Sequence, residues 1–406
     1  MTIFSRTGAL ALCLLPFLCL TAHRASAQAD TVDMRTQRDL IDVFLLILHK
    51  DPNIRFDTSK HKTHTLYISA APSPQYSLAT GFGVNLTANM AFYTTEDKKE
   101  NLSTLLTYPT YTQNKQIILP LQSSIWTENN KYNFVGDWRF LHFPEQTYGL
   151  GGYTQSSDAD SLDYNYLRFY QFALRKVAKD FFIGPGVQLD YHYDIQQLGV
   201  PPGKVTGFDT YGFSPQSFSS GVALNVLYDT RQNSINPEGG SFYANMILRQ
   251  NLTLLGSNQN WSSLLLDVRK YIKMPYNRNI LAFWSYDWLT LKGNPPYLDL
   301  PSTGWDTYDN TGRGYIQSRF RSKNMVDLET EYRFGILNNG LIGGVVFANA
   351  QSYSEVPTGG FQVIEPGAGA GIRIKFNKFS KTNIAIDYAW GKGGSNGLFL
   401  NLGEVF

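Results

Sequence analysis

The chain has 406 residues, 35 Lys and Arg against 33 Asp and Glu, and a formal net charge of +2. That balance removes the electrostatic case for a nucleic-acid partner, which needs a basic face or tail, and the ordinary Gly and Pro content excludes collagen-like and disordered classes. Charged residues make up only 17% while aromatics reach 14%, which suits a surface that is apolar and aromatic on one side and polar on the other.

The start of the chain reads as an export signal. Arg6 supplies a basic n-region, Gly8 to Leu20 an apolar h-region, and Ala25-Ser26-Ala27 a small-residue cleavage site, so residues 1–27 are expected to be removed. The two cysteines, Cys13 and Cys19, both fall in this segment, preceded by Leu12 and Leu18 where a lipoprotein signal needs a small residue. The remainder then has no thiol for a disulfide, a metal or nucleophilic attack. A spanning helix needs about 20 apolar residues in a row; Leu40 to Leu48 is far shorter and contains Asp42. An exported chain of this kind is either soluble or crosses a membrane as a closed barrel, because only helices and closed barrels satisfy the backbone in lipid.

Residues 28–62 form a polar segment around one helical stretch, 38–50, where Leu40, Phe44 and Ile47 recur at spacings of four and three. One reading packs this face against the rest of the fold; the other plugs a barrel lumen or docks a partner. From about residue 63 the period changes to two. Phe82, Val84, Leu86, Ala88, Met90 and Phe92 alternate with Gly81, Gly83, Asn85, Thr87, Asn89 and Ala91; Leu328, Thr330, Tyr332 and Phe334 alternate with Asp327, Glu329, Glu331 and Arg333. Each run puts an apolar row on one face and polar or small residues on the other.

A soluble sandwich shares that period, but three features favour a membrane barrel. The runs reach the roughly 10 residues of a tilted membrane strand, the polar face carries several charges per strand as an aqueous lumen allows, and aromatics gather near strand ends as girdles. Strands are expected near 64–70, 77–93, 101–112, 115–128, 131–143, 162–178, 180–194 and 218–230. The second half adds 240–252, 260–274, 278–291, 324–337, 340–352, 367–377, 380–391 and 396–406. Sixteen is an even number, as single-chain barrels of bacteria require, and short turns alternate with long loops, notably 195–217 and 292–323. The chain ends on Phe406, with Leu398, Leu400 and Leu402 on one face of the last run, an arrangement similar to the terminal signal by which barrel precursors are recognised for assembly.

The loop 292–323 holds Gly312-Arg313-Gly314-Tyr315, which resembles the Val/Ile-Arg-Gly-Phe/Tyr motif of the sixth outer loop in the BamA/TamA family (bacterial surface antigen family). Leu328-Glu329-Thr330-Glu331-Tyr332-Arg333 looks like that family's twelfth strand with Glu331 at its acidic position, and Gly344 to Asn349 resembles its Phe-x-Asp-x-Gly strand. Asp229-Thr230-Arg231 with Pro237 and Gly240 is similar to its mid-barrel turn, and 369–373, 385–388 and 402–406 to its last three strands. The resemblance implies a loop folded into the lumen, with Arg313, Gly314 and Tyr315 latched on Glu331 near Asn349, and a weakly paired seam between first and last strands. Three departures stand out. Gly312 replaces a β-branched residue; Asn349 replaces an Asp, leaving Arg313 one carboxylate fewer, and Gln351 stands where Gly is usual; and residues 28–62 are too few to hold the family's POTRA modules. By itself the Gly-Arg-Gly-Tyr tetrapeptide is also that of an exposed turn, so its strand context carries the reading.

Other chemistry-bearing residues read as structural. His61 and His64 have no fixed element or matching carboxylate to make a metal site. Asp190, His192 and Asp194 share one strand face, and a barrel hydrolase could use them for acid–base work, but no nucleophile motif accompanies them and a polar lumen wall explains them. The glycines at 367–371 and 391–394 lack the helix and Lys of a phosphate loop. The expectation is an all-β, transmembrane antiparallel barrel of sixteen strands over 63–406, with no catalytic residues, metal or cofactor. Its role would be in outer-membrane protein assembly or translocation, or that of a passive pore or scaffold. Its surroundings would be the lipids of a bacterial outer membrane, lipopolysaccharide included, and its partners periplasmic or lipoprotein subunits.

Overall fold

The computed structural model describes residues 35–53, 67–94, 101, 103–275 and 279–406; the signal segment 1–27 with Cys13 and Cys19, and the pair His61 and His64, lie outside them. Among the described residues no helix is long and apolar enough to cross a membrane. The described residues instead form eighteen strands in one antiparallel sheet. They are β1 (Tyr67–Ser77), β2 (Gly81–Phe92), β3 (Ser103–Thr107), β4 (Thr110–Thr112), β5 (Ile117–Trp126), β6 (Tyr132–His142), β7 (Glu145–Thr147), β8 (Asp160–Ala178) and β9 (Phe181–Leu198). Then follow β10 (Ser217–Asp229), β11 (Phe242–Asn251), β12 (Trp261–Lys273), β13 (Ile280–Lys292), β14 (Asn324–Gly335), β15 (Ile342–Tyr353), β16 (Glu365–Asn377), β17 (Thr382–Gly391) and β18 (Asn396–Leu402).

These make sixteen staves. β3 and β4 both lie between β2 and β5 and are one stave interrupted at Pro109. β6 and β7 both pair with β8 and are interrupted at Pro144. Proline cannot donate to a ladder, so each breaks its stave without displacing it. Neighbours in the chain are neighbours in the sheet, and β18 returns to lie beside β1.

Burial is inverted relative to a soluble protein. On β14 the charged residues Asp327, Glu329 and Glu331 are at most 3% exposed, while Leu328 is 45% exposed. Val346, Ile372, Tyr388 and Trp390 stand outside on the following strands, and Asn349, Arg373 and Asp387 inside. A polar, filled interior behind an apolar wall is the pattern of a strand-built membrane barrel; a sandwich buries its apolar rows.

Two ends of the barrel depart from the expected strands. β1 extends to Ser77 rather than ending near residue 70: Pro72 and Pro74 sit opposite Leu86 and Val84 in an unbroken ladder. β18 stops at Leu402 rather than running to the terminus, so the first strand is the longer of the two at the seam. Gly403 takes a φ of +108°, a conformation open to glycine, and turns the last three residues inward.

The predicted helix is present as α1 (Leu40–Ile47), capped by Asp39, whose side chain accepts from the Asp42 backbone N–H at 2.7 Å. Its apolar face, however, is packed on the fold only in part: Leu40 is half-buried. Asp39 and Asp42 are the fully buried residues, and Phe44 and Ile47 are exposed. The reason is Lys378, between β16 and β17, whose ammonium donates to Asp42 at 2.7 Å and whose backbone N–H donates to Asp39 at 2.8 Å.

Candidate functional site: the lumenal latch and the seam

The connection 293–323 enters the barrel and crosses it. On one wall, Arg139 donates to the Thr307 carbonyl at 2.7 Å, and Glu145 accepts from Ser318 at 2.5 Å and pairs with Arg321 at 3.4 Å. On the opposite wall Arg313 inserts, 1% exposed, among Glu331 (2.6 Å), Asp387 (2.9 Å) and Glu329 (3.0 Å). Its guanidinium carbon lies 3.7 Å from the centre of the Phe347 ring. Burial disfavours the charge, but Glu331, Glu329 and Asp387 outweigh it and raise the Arg313 pKa above its ordinary value. Arg supplies a planar, pre-organised fork of five N–H donors spread over a wider span than the three of a compact Lys ammonium, which suits three separate carboxylates.

The backbone around Arg313 is equally constrained. Gly312 donates to Glu329 at 3.0 Å, Asn349 donates to the Arg313 carbonyl at 2.8 Å, and Ser395 donates to the Gly314 carbonyl at 2.6 Å. Gly314 has a φ of +107°, and a Cβ there would meet the Trp390 backbone at 2.9 Å. Tyr315, buried, donates to the Pro366 carbonyl at 2.6 Å and accepts from the Lys392 N–H at 2.8 Å.

The sequence departures acquire a physical meaning here. Asn349 does not leave Arg313 short of a carboxylate, since Glu329 and Asp387 join Glu331. Asn349 instead serves a carbonyl, an acceptor to which an ionised Asp has no proton to give. Gly312 and Gln351 are complementary: a Cβ on Gly312 would come within 2.5 Å of the Gln351 side chain. Gln351 in turn accepts from Thr303 at 3.1 Å and Tyr353 at 2.7 Å.

Glu329, Asp387, Arg373, Glu404 and Phe347 belong to the latch but were not assigned to it from sequence. The signal for Glu329 was its shared strand parity with Glu331; for the others only the sheet's register could bring them together. Arg373 bridges Asp387 (2.5 Å) to Glu404 (2.7 Å), and Arg333 joins Glu331 (2.8 Å). Through Glu404 the cluster reaches the C-terminus. Phe406 is 2% exposed, its ring centre 5.1 Å from that of Trp284, and its carbonyl accepts from Arg333 at 2.6 Å; the Val405 carbonyl accepts from Asn310 in the crossing loop at 2.8 Å. Phe406 therefore lies in the lumen and not on the last strand, whereas Leu398, Leu400 and Leu402 do face outward, opposite Tyr388, Ile386 and Ile384.

The mid-barrel turn forms as a unit. Arg231 holds Asp229 through two bonds of 2.9 Å and lies 3.9 Å from the Tyr243 ring centre; Pro237 is buried and Gly240 has a φ of +100°. The turn crosses the barrel mouth: Asn233 and Asn236 donate to the Ser380 and Lys381 carbonyls at 2.8 and 3.0 Å, and the Ile235 carbonyl accepts from Glu404 at 2.9 Å.

Asp190, His192 and Asp194 do not assemble. Asp194, at a φ of +54°, is exposed and accepts from Asn165. Asp190 is taken by Arg249 at 2.5 Å and by Tyr170, while His192 stacks on Tyr166 at 4.1 Å. Ser219 donates to Asp299 at 2.5 Å, not to His192. The space left beside Asp190 is about 10 Å³.

The seam between β1 and β18 has a deficit that can be read from the ladders. Leu86 donates to Pro109, so the even residues of β2 point away from β1. Their partners Ile68, Ala70, Pro72, Pro74 and Tyr76 therefore turn their backbone N and O toward β18. Gly391 and Gly403 donate to Ser395 and Asn383, so on β18 it is Asn396, Leu398, Leu400 and Leu402 that face the seam. Two of the five β1 positions are prolines without an N–H, and among the described residues no ladder joins the two strands. At about 1 kcal/mol per backbone hydrogen bond, the prolines alone withhold about 2 kcal/mol from closure.

No protein-family model and no curated protein matches the sequence. Solved structures do share the fold. BamA from Haemophilus ducreyi lacking POTRA domains 1–3 superposes with a TM-score of 0.54 at 12% identity, over 91% of this chain and 79% of that one. CdiB from Acinetobacter baumannii superposes with a TM-score of 0.52 at 9% identity, over 84% of this chain and 66% of that one. The fold is that of the BamA and CdiB barrels.

Proposed function

We propose that this protein is a barrel component of an outer-membrane protein assembly or translocation machine of the BamA/TamA type. The observation that carries the reading is the pairing of a closed lumen with an under-bonded seam. Arg313 and the loop around it bar passage through the lumen, while Pro72 and Pro74 weaken the wall at one place. A strand edge left partly unpaired is a template for another strand, which is what a machine that handles barrel precursors requires. Such a machine works with periplasmic or lipoprotein subunits and sits among outer-membrane lipids, lipopolysaccharide included.

Gentle detergent extraction of the tagged protein from outer membranes, followed by mass spectrometry of what stays bound, tests the role. A stoichiometric set of periplasmic or lipoprotein subunits is the expected result. A bare barrel, recovered repeatedly under cross-linking, overturns it in favour of a scaffold.

A further inference from the structure

α1 inverts the usual rule of helix burial. Its sequence is Leu-Ile-Asp-Val-Phe-Leu-Leu-Ile, yet Asp42 and the capping Asp39 are 0% exposed, while Phe44, Leu46, Ile47 and Leu48 are 59%, 50%, 68% and 48% exposed. The helix is tied by its polar edge to the rim that carries the short turns. Lys378 holds both aspartates, its ammonium also donates to the Gln37 carbonyl at 3.2 Å, and Arg38 donates to the Asn339 carbonyl at 2.9 Å. With the aspartates engaged there, the apolar side is turned away from the protein.

Two observations say what covers it. The rim beside the helix is itself apolar: Ile336, Leu337 and Phe379 are exposed, and Ile336 continues the outward row of Leu328, Thr330, Tyr332 and Phe334, so the patch is continuous with the barrel's apolar wall. Charge gives the second. Asp42 is paired with the Lys378 ammonium and Asp39 accepts the Lys378 backbone N–H, and the charged residues nearest the apolar stretch are Arg38 before it and Lys50, followed by Asp51, after it. An apolar helical face bracketed by cations, at the level where a membrane wall ends, has the chemistry of a helix lying in an anionic headgroup layer.

We propose that α1 is a membrane-surface site, with Phe44, Ile47 and Leu48 inserted among the acyl chains of anionic phospholipid at the short-turn rim. Arg38 and Lys50 face the phosphates, and the Lys378 tether keeps the helix beside β16. This goes beyond the machine role and stands whether or not partner subunits exist.

The test uses the full chain, folded in vesicles, with Ile47→Cys as its single cysteine (Cys13→Ser and Cys19→Ser) carrying a nitroxide. Heat-modifiable migration on a gel establishes that the barrel is folded. Power-saturation spectroscopy then compares access of oxygen, which concentrates in acyl chains, with access of a water-soluble nickel chelate. The expected result is a several-fold rise in the oxygen-to-nickel ratio when phosphatidylglycerol is added to phosphatidylcholine vesicles, lost in Arg38→Gln/Lys50→Gln. A label that stays open to nickel in both vesicle types overturns the proposal. So does a label that is wet in vesicles but shielded from both reagents in native membranes, which identifies a protein as the occupant.

Discussion

Replacing Arg313 by Ala removes the one cation that, among the described residues, pairs with Glu329. Of the three carboxylates around the guanidinium, Glu331 keeps Arg333 at 2.8 Å and Asp387 keeps Arg373 at 2.5 Å. Glu329, 3% exposed, is left with the Gly312 N–H. Breaking one side of a buried ion pair costs about 3–5 kcal/mol, most of it from the charge left behind. The cost should therefore fall on Glu329, and neutralising that residue should return a large part of it. Arg313→Ala is expected to release the crossing loop, seen as larger conductance in planar bilayers and faster proteolysis at Arg319 and Arg321, with a lower urea midpoint. Arg313→Ala/Glu329→Gln is expected to recover about half of the lost stability, while Arg313→Ala/Asp387→Asn is not. Equal behaviour of the two double variants would refute the assignment of Glu329 as the dependent partner, and an unchanged single variant would refute the latch.

Phe406→Ala removes a buried ring from its packing on Trp284 and is expected to lower stability by about 3–5 kcal/mol, read as a fall in the temperature of heat-modifiable gel migration; an outward Leu400→Ala serves as the control that should barely move. Asp299 is buried, and burial together with the charge of Asp190 pushes its carboxyl up to about 7. A raised pKa means that the folded state holds the proton longer, so this contribution is complete below about pH 4 and lost as the pH rises to 7, at up to about 1.4 kcal/mol per unit. Urea midpoints across that range should fall less steeply in Asp299→Asn than in the parent, and parallel curves would count against it. Pro72→Ala/Pro74→Ala returns two N–H donors to the seam and is expected to stabilise closure by about 2 kcal/mol, measured as slower disulfide formation between β1 and a client strand; faster capture would mean that the prolines do not limit opening.

Much of this fold was legible because each stave carries its own period-two signal, and the sixteen expected strands match sixteen staves. The ends were misread for local reasons. Pro72 and Pro74 suggest a stop, but on a strand whose affected edge faces a seam they cost no ladder bond. Phe406 looked like the end of a strand because nothing before it breaks the alternation except Gly403, whose φ only the folded chain reveals. At the latch, Arg313, Gly314, Tyr315 and Glu331 could be picked out by motif. Asp387 and Arg373 could not, since they reach the cluster around Arg313 from strands more than fifty residues away and only the register aligns them. The helix was misjudged for a different reason: its spacing places apolar residues on a face, but which face is buried was decided by Lys378, over three hundred residues downstream.

The last four residues touch parts of the chain that are otherwise far apart. Glu404 meets the turn after β10 and the arginines of β14 and β16; Val405 meets the crossing loop; Phe406 meets β13. A chain cut at residue 402 would possess every stave and could complete its wall, yet nothing would fasten its loop, its mid-barrel turn and its closing strand to one another. Residues 403–406 thus act as a clasp, coupling closure of the wall to the seating of the loop and of the mid-barrel turn.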